Sequence, residues 1–236
     1  MIRYAYIAHQ VFQLYKQMPS LQFPVDPKQL FLLIPNCRIL TYQRFAEINN
    51  CSIQEVIELC ESKSGCTHYD TIQDRYLVLY NNSTANNNVQ GRIRWTLAHE
   101  LGHVRLKHLP HIAVNQIAEN SFNNLTDPEL EAEADWFAAL LLCPMPLFDH
   151  LRIQSPADIH RVFGLSHEAA DVRWREYQKW NHHHKKTALE NDLKHLYQIR
   201  NTSQAPVSSE SLQDIEDNNE AYNSINRILL LSHPDM

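Results

Sequence analysis

The chain has 236 residues, of which 44% are hydrophobic and 20% charged, with a formal charge of −6. That is the composition of a folded globular protein of one well-filled domain with appendages, or two small ones, and it excludes a disordered or fibrous chain and argues against a nucleic-acid-coating surface. Four glycines occur, Gly65, Gly91, Gly102 and Gly164, no two within ten residues, so neither a dinucleotide fingerprint nor a phosphate-cradling loop can be written here.

Residues 2 to 17 suit a first helix, which reads as folded structure and not as a signal peptide because no uninterrupted apolar core runs through it. Pro19, Pro24 and Pro27 mark a turn-rich connection into a short helix near Lys28 to Leu33. Ser52 is an N-cap with Glu55 three residues on, and a helix runs to about Ser62 with Gly65 closing it. Arg75 to Tyr80 is aromatic and β-branched, bounded by the polar loop NNSTANNN, and is expected to be a strand with an edge free to pair an extended peptide. A helix from about Val89 to His108 follows, with Ile93, Leu97, Leu101 and Val104 near one face. The next begins at Thr126-Asp127-Pro128-Glu129, where Thr126 or Asp127 caps and Glu129 completes a capping box, and ends at Cys143-Pro144. Helices near 156–163 and 166–180 are separated by Gly164. From Lys185 the chain turns polar apart from Leu189 to Ile199 and Ile225 to Leu231, and is read as a helical or partly disordered appendage.

The longest apolar stretch, Trp136 to Cys143, is stopped by Pro144 well short of the roughly 20 residues that a bilayer requires, so no membrane span is expected. Five cysteines without a C-x-x-C pair argue against a disulfide framework or a cysteine zinc cluster and fit a reducing, cytoplasmic compartment.

The chemistry is concentrated in His99-Glu100-Leu101-Gly102-His103. Histidines four apart on a helix share one face and can offer ring nitrogens to one ion; in a chain of this composition about 0.05 such H-E-x-x-H motifs arise by chance. Catalytic zinc takes three protein ligands and keeps a position for water, so a third is expected downstream, and Glu131 is chosen. Asp135, four residues on, shares its face and is placed to accept the outer N–H of a ligating histidine, His99. Glu133 is turned about 200° from Glu131 and cannot face the same ion. Gly102, costly inside a helix, points to close approach of another backbone or of substrate, or to packing alone. His108 and His111, just beyond the motif, are weighed as substrate-binding or oxyanion-stabilising groups but read as solvated loop residues, and His182-His183-His184 as a solvated helix end. Arg161, Arg173 and Arg175 invite a DNA-reading interpretation, but Glu168, Asp171 and Glu176 interrupt the positive charge, and no direct nucleic-acid binding is expected.

TLAHELGHVRLKH followed by EAEADWFAALLLCP, with RVFGLSHEAADVRWREY downstream, resembles the ImmA/IrrE metallopeptidase family over residues 3 to 180. The resemblance implies an α+β, mainly helical zincin-like domain over 1–180 with a small sheet beside the H-E-x-x-H helix, and leaves 181–236 as a polar tail of unknown role. It implies Zn2+ on His99, His103 and Glu131, with Glu100 as general base, in a zinc endopeptidase from a bacterial or mobile-element setting. The substrates it implies are helix-turn-helix repressors, whose cleavage relieves transcriptional repression. Asp135 departs from the family pattern, which usually has Asn there. The reading set against it is a metal-dependent antirepressor that binds its partner without cutting it.

Overall fold

The computed structural model describes residues 1–83, 89–109, 116–118, 127–183 and 186–202. Helix α1 (Tyr4–Gln17) and the short α2 (Pro27–Phe31) precede β1 (Cys37–Thr41), α3 (Tyr42–Asn49), α4 (Ile53–Cys60), β2 (Gly65–Asp70) and β3 (Arg75–Tyr80). Then come α5 (Val89–Leu106), β4 (Gln116–Ala118), α6 (Pro128–Leu142), a 3-10 turn at Met145–Leu147, α7 (Phe148–Leu151), α8 (Pro156–Phe163), α9 (His167–His183) and α10 (Ala188–Thr202). This is the expected α+β arrangement, mainly helical around a small sheet.

The sheet order is β1-β3-β2-β4, with β1 parallel to β3 and β2 antiparallel to both β3 and β4. The strand at Arg75–Tyr80 is therefore interior and offers no free edge, which corrects the expectation from sequence. Tyr76 to Tyr80 are all buried, as in a strand covered on both faces and both sides. Side chains alternate across the sheet. Tyr76, Val78 and Tyr80 join Leu97 and Leu101 of α5 in one core, while Leu77 and Leu79 join Leu40, Cys66, Tyr42, Phe45, Val56 and Cys60 in another under α3 and α4. The molecule is thus layered as α3 and α4, then the sheet, then α5 backed by α1 and α6.

Local signals explain most helix ends. Ser52 and Glu55 form the reciprocal capping box, and the Asp127 side chain accepts from the Glu129 amide to cap α6. Glu129 does not complete a capping box on Asp127; its carboxylate pairs with the Met1 ammonium. Thr126 lies outside the described residues. Helix α4 is closed not by Gly65 but by Glu61 in the left-handed region, φ 52. Gly65 opens β2 instead, because a Cβ there would lie 2.6 Å from Thr96 Cγ2 and 3.1 Å from the Leu79 carbonyl. It is the point where strand and α5 touch.

Arg173 is buried and donates to the carbonyls of Ala139 and Cys143, closing the C-terminal end of α6. That leaves it unable to reach a phosphate. Beyond residue 185, α10 is a helix whose Leu193 is buried and whose Arg200 donates to the carbonyls of Lys16 and Pro19. Ile225 to Leu231 lie outside the described residues. Among the described residues no single helix is long and apolar enough to cross a membrane.

Candidate metal centre

Helix α5 carries His99, Glu100 and His103, each at most 1% exposed. One turn apart, the two imidazoles bring their Nε2 atoms to 3.0 Å. Helix α6 crosses α5 and contributes Glu131, with Oε2 3.2 Å from His99 Nε2 and Oε1 3.5 Å from His103 Nε2. Metal–ligand bonds of about 2.0–2.1 Å at tetrahedral angles place donor atoms about 3.3 Å apart, so this triangle has the size that one metal ion of that kind spans. Glu131 Oε1 is buried without a hydrogen-bond partner, an arrangement that costs free energy unless a cation completes it. His99, His103 and Glu131, taken from the sequence, are brought together as a group able to hold a metal ion.

The crossing depends on Gly102. A Cβ there would sit 3.2 Å from Ala134 Cα and 3.2 Å from Phe137 Cδ1, so glycine lets the α6 backbone approach α5 closely enough for Glu131 to reach both histidines. Of the open explanations for this residue, approach of a backbone is the one observed.

Each histidine is turned by a partner at its outer nitrogen. His99 Nδ1 lies 3.0 Å from Asp135 Oδ1, the partner expected from the four-residue spacing, and that carboxylate stands at the surface. His103 Nδ1 lies 2.9 Å from His108 Nδ1, and His108 Nε2 lies 3.2 Å from Glu133 Oε2. Glu133 in turn accepts from Arg3, at 2.8 Å from its backbone N–H and at 2.5 to 3.1 Å from its guanidinium. These partners fix the tautomers: His108 donates from Nε2 to the carboxylate and accepts at Nδ1 from His103, which leaves the His103 Nε2 lone pair aimed at the centre.

His108 is therefore not the solvated loop residue expected from the sequence; it is 2% exposed and part of the support. His111 lies outside the described residues. Glu133 does face away from Glu131, and it is buried on this second network. No local pattern marks Arg3, which is 130 residues from its partner.

The electrostatics follow the burial. Burial, then repulsion from His99 and His108, hold His103 well below the ordinary imidazole range, which keeps it in the neutral, ligating form. Burial also lowers His108, to about 4, against the opposing pull of Glu133. Burial works against the Glu133 carboxylate, but its hydrogen bonds from Arg3 outweigh that and bring it down to about 2.

Glu100 faces the sheet. The Thr67 hydroxyl of β2 donates to Glu100 Oε2 at 2.6 Å, and Gly65 gives the carboxylate room, since a Cβ there would lie 3.3 Å from Oε1. A buried carboxylate fixed on the helix next in sequence to His99, a donor of the metal-sized triangle, is of the chemical type that moves a proton near an ion. Thr67 was not singled out in the sequence, where nothing adjacent marks it.

The model of the IrrE N-terminal-like domain family, Peptidase_M78, matches residues 58–175, half of the chain. The match runs from the end of α4 into α9 and includes His99, Glu100, His103, Glu131, Glu133 and Asp135, but not Arg3. No curated protein matches the chain.

Proposed function

The chain belongs to the IrrE N-terminal-like family of metallopeptidases, and from that membership we propose that it is a zinc-dependent endopeptidase whose proton-transfer group is Glu100. The observation that carries this reading is the convergence of the His99, His103 and Glu131 donors, together with the residue that follows His99, Glu100, a buried carboxylate held by Thr67. The chemistry a zinc ion supplies when bound there is polarisation of a peptide carbonyl and acidification of a water toward a pKa of about 7.

The chain's own residues do the rest. With Oε2 engaged by Thr67, Glu100 takes the water proton at Oε1 and returns it to the amine nitrogen as the peptide C–N bond breaks. Asp135 and His108 hold the outer nitrogens of the histidines, so both Nε2 lone pairs stay directed at one point through the cycle. Strand β4 has a neighbour on one side only among the described residues, and its outer edge is the place for an extended peptide to pair, the role once expected of β3.

The likeness of TLAHELGHVRLKH and EAEADWFAALLLCP to the ImmA/IrrE family supports a helix-turn-helix repressor as substrate, cleaved in the cytoplasm to relieve repression. The test compares new protein N-termini in host cells carrying the wild type or Glu100→Gln under inducing conditions. A repressor fragment found only with the wild type is expected, and identical sets of N-termini overturn proteolysis by this site. Derepression that survives Glu100→Gln but is lost in His103→Ala identifies a metal-dependent antirepressor that binds without cutting.

A further inference from the structure

On the face of the sheet opposite α5, three donor side chains meet that the peptidase reading leaves unused. Cys60 is the last residue of α4, and Cys66 and His68 are alternate residues of β2; they are 0%, 0% and 1% exposed, and one donor atom from each lies within 4.8 Å of the others. The turn between them is tightly held: Ser62 Oγ accepts from the amides of Ser64 and Gly65, and the Ser62 carbonyl accepts from the buried Tyr42 hydroxyl. The lack of a C-x-x-C pair argues against a cysteine zinc cluster in the sequence, but here the donors are assembled from a helix end and a strand.

We propose that Cys60, Cys66 and His68 form a second, structural metal site that takes a thiophilic ion of the zinc class. Cys66 Sγ and one ring nitrogen of His68 are 3.5 Å apart. Metal bonds of about 2.3 Å to sulfur and 2.0–2.1 Å to nitrogen at tetrahedral angles set the same separation, about 3.5 Å. Two thiols and an imidazole select soft ions over magnesium or calcium. On binding, both thiol protons leave to solvent.

The site also bears on catalysis through the strand itself. Thr67, which holds Glu100, stands between Cys66 and His68 and points to the other face, so an ion there fixes the strand from which the general base is positioned.

The test uses the sulfur. Fully reduced, metal-free full-length protein is titrated with Co2+, because the His99, His103 and Glu131 centre has no sulfur donor and thiolate-to-cobalt charge-transfer absorption reports the second site alone. Expected are about two ions per chain, one of them with thiolate absorption, that absorption persisting in Glu131→Ala and disappearing in Cys66→Ser with about one ion retained. Absence of thiolate absorption in the wild type overturns the proposal whether or not Cys66→Ser folds. So does absorption lost in Cys51→Ser instead, or formation of a Cys60–Cys66 disulfide in place of metal binding when reductant is removed.

Discussion

The two histidines of a single motif are supported in opposite ways. His99 leans on Asp135, a carboxylate whose side chain is 59% exposed, whereas His103 leans on buried His108 and Glu133, the latter held in turn by Arg3, which stands at the surface near the start of the chain. At the surface, water can stand in for a lost acceptor at little cost. In the interior nothing can, and a vacated partner leaves a buried donor unsatisfied. The two sides of one metal centre should therefore respond unequally to the same kind of damage.

Four measurements test that inequality, beginning with a reference that disturbs neither side. Glu100→Gln should lower peptide hydrolysis by about 10²- to 10⁴-fold while metal content, read by elemental analysis, stays at the wild-type level. A parallel loss of metal would show that Glu100 belongs to the coordination and not to the proton transfer. On the buried side, Glu133→Ala or His108→Ala should weaken metal affinity by about 10- to 100-fold in competition with a chromophoric chelator. Asp135→Ala should cost less than about tenfold in the same assay, and equal losses on both sides would remove the distinction.

The smallest effect is one of pH. His108 sits at about 4 in the folded protein against an ordinary 6.5, so it takes up a proton on unfolding between those values; the stability linked to it is complete above 6.5 and is lost as pH falls toward 4. Glu133, at about 2 against 4.5, extends the same trend below pH 4.5. The melting temperature of chelated protein should fall across that range, and His108→Gln should make the decline between 6.5 and 4 shallower. An unchanged slope would mean that the buried side contributes no proton linkage of its own.

What could be read from the sequence was whatever the chain writes within a turn or two of helix. His99 and His103 share a face by spacing, Asp135 follows Glu131 by the same rule, and Ser52 with Glu55 announces its cap. Glu131 itself was found because zinc chemistry demands a third ligand, which narrows the search to acidic residues on the next helix. Partnerships across the fold left no such trace. Arg3 and Glu133 are 130 residues apart, Thr67 and Glu100 33 apart, and neither pair alters any local pattern. Strand β3 is the instructive miss. Its run of five buried residues, Tyr76 to Tyr80, has the continuous apolar character of a strand with neighbours on both sides, and weighing that against the alternation of an edge strand would have placed it in the interior. Gly65 was misjudged because glycine after a helix usually means a stop, and here it marks contact between strand and helix.

Gly102 is buried and brings no side-chain donor atom of its own, yet the separation of α5 and α6 at that residue sets how far Glu131 stands from the two imidazoles. The bite of the centre is thus written in a residue without a side chain. A methyl group at that crossing would push the carboxylate outward and enlarge the cage, so Gly102→Ala should shift preference toward a cation of greater radius such as cadmium, a change of selectivity made without altering a single ligand.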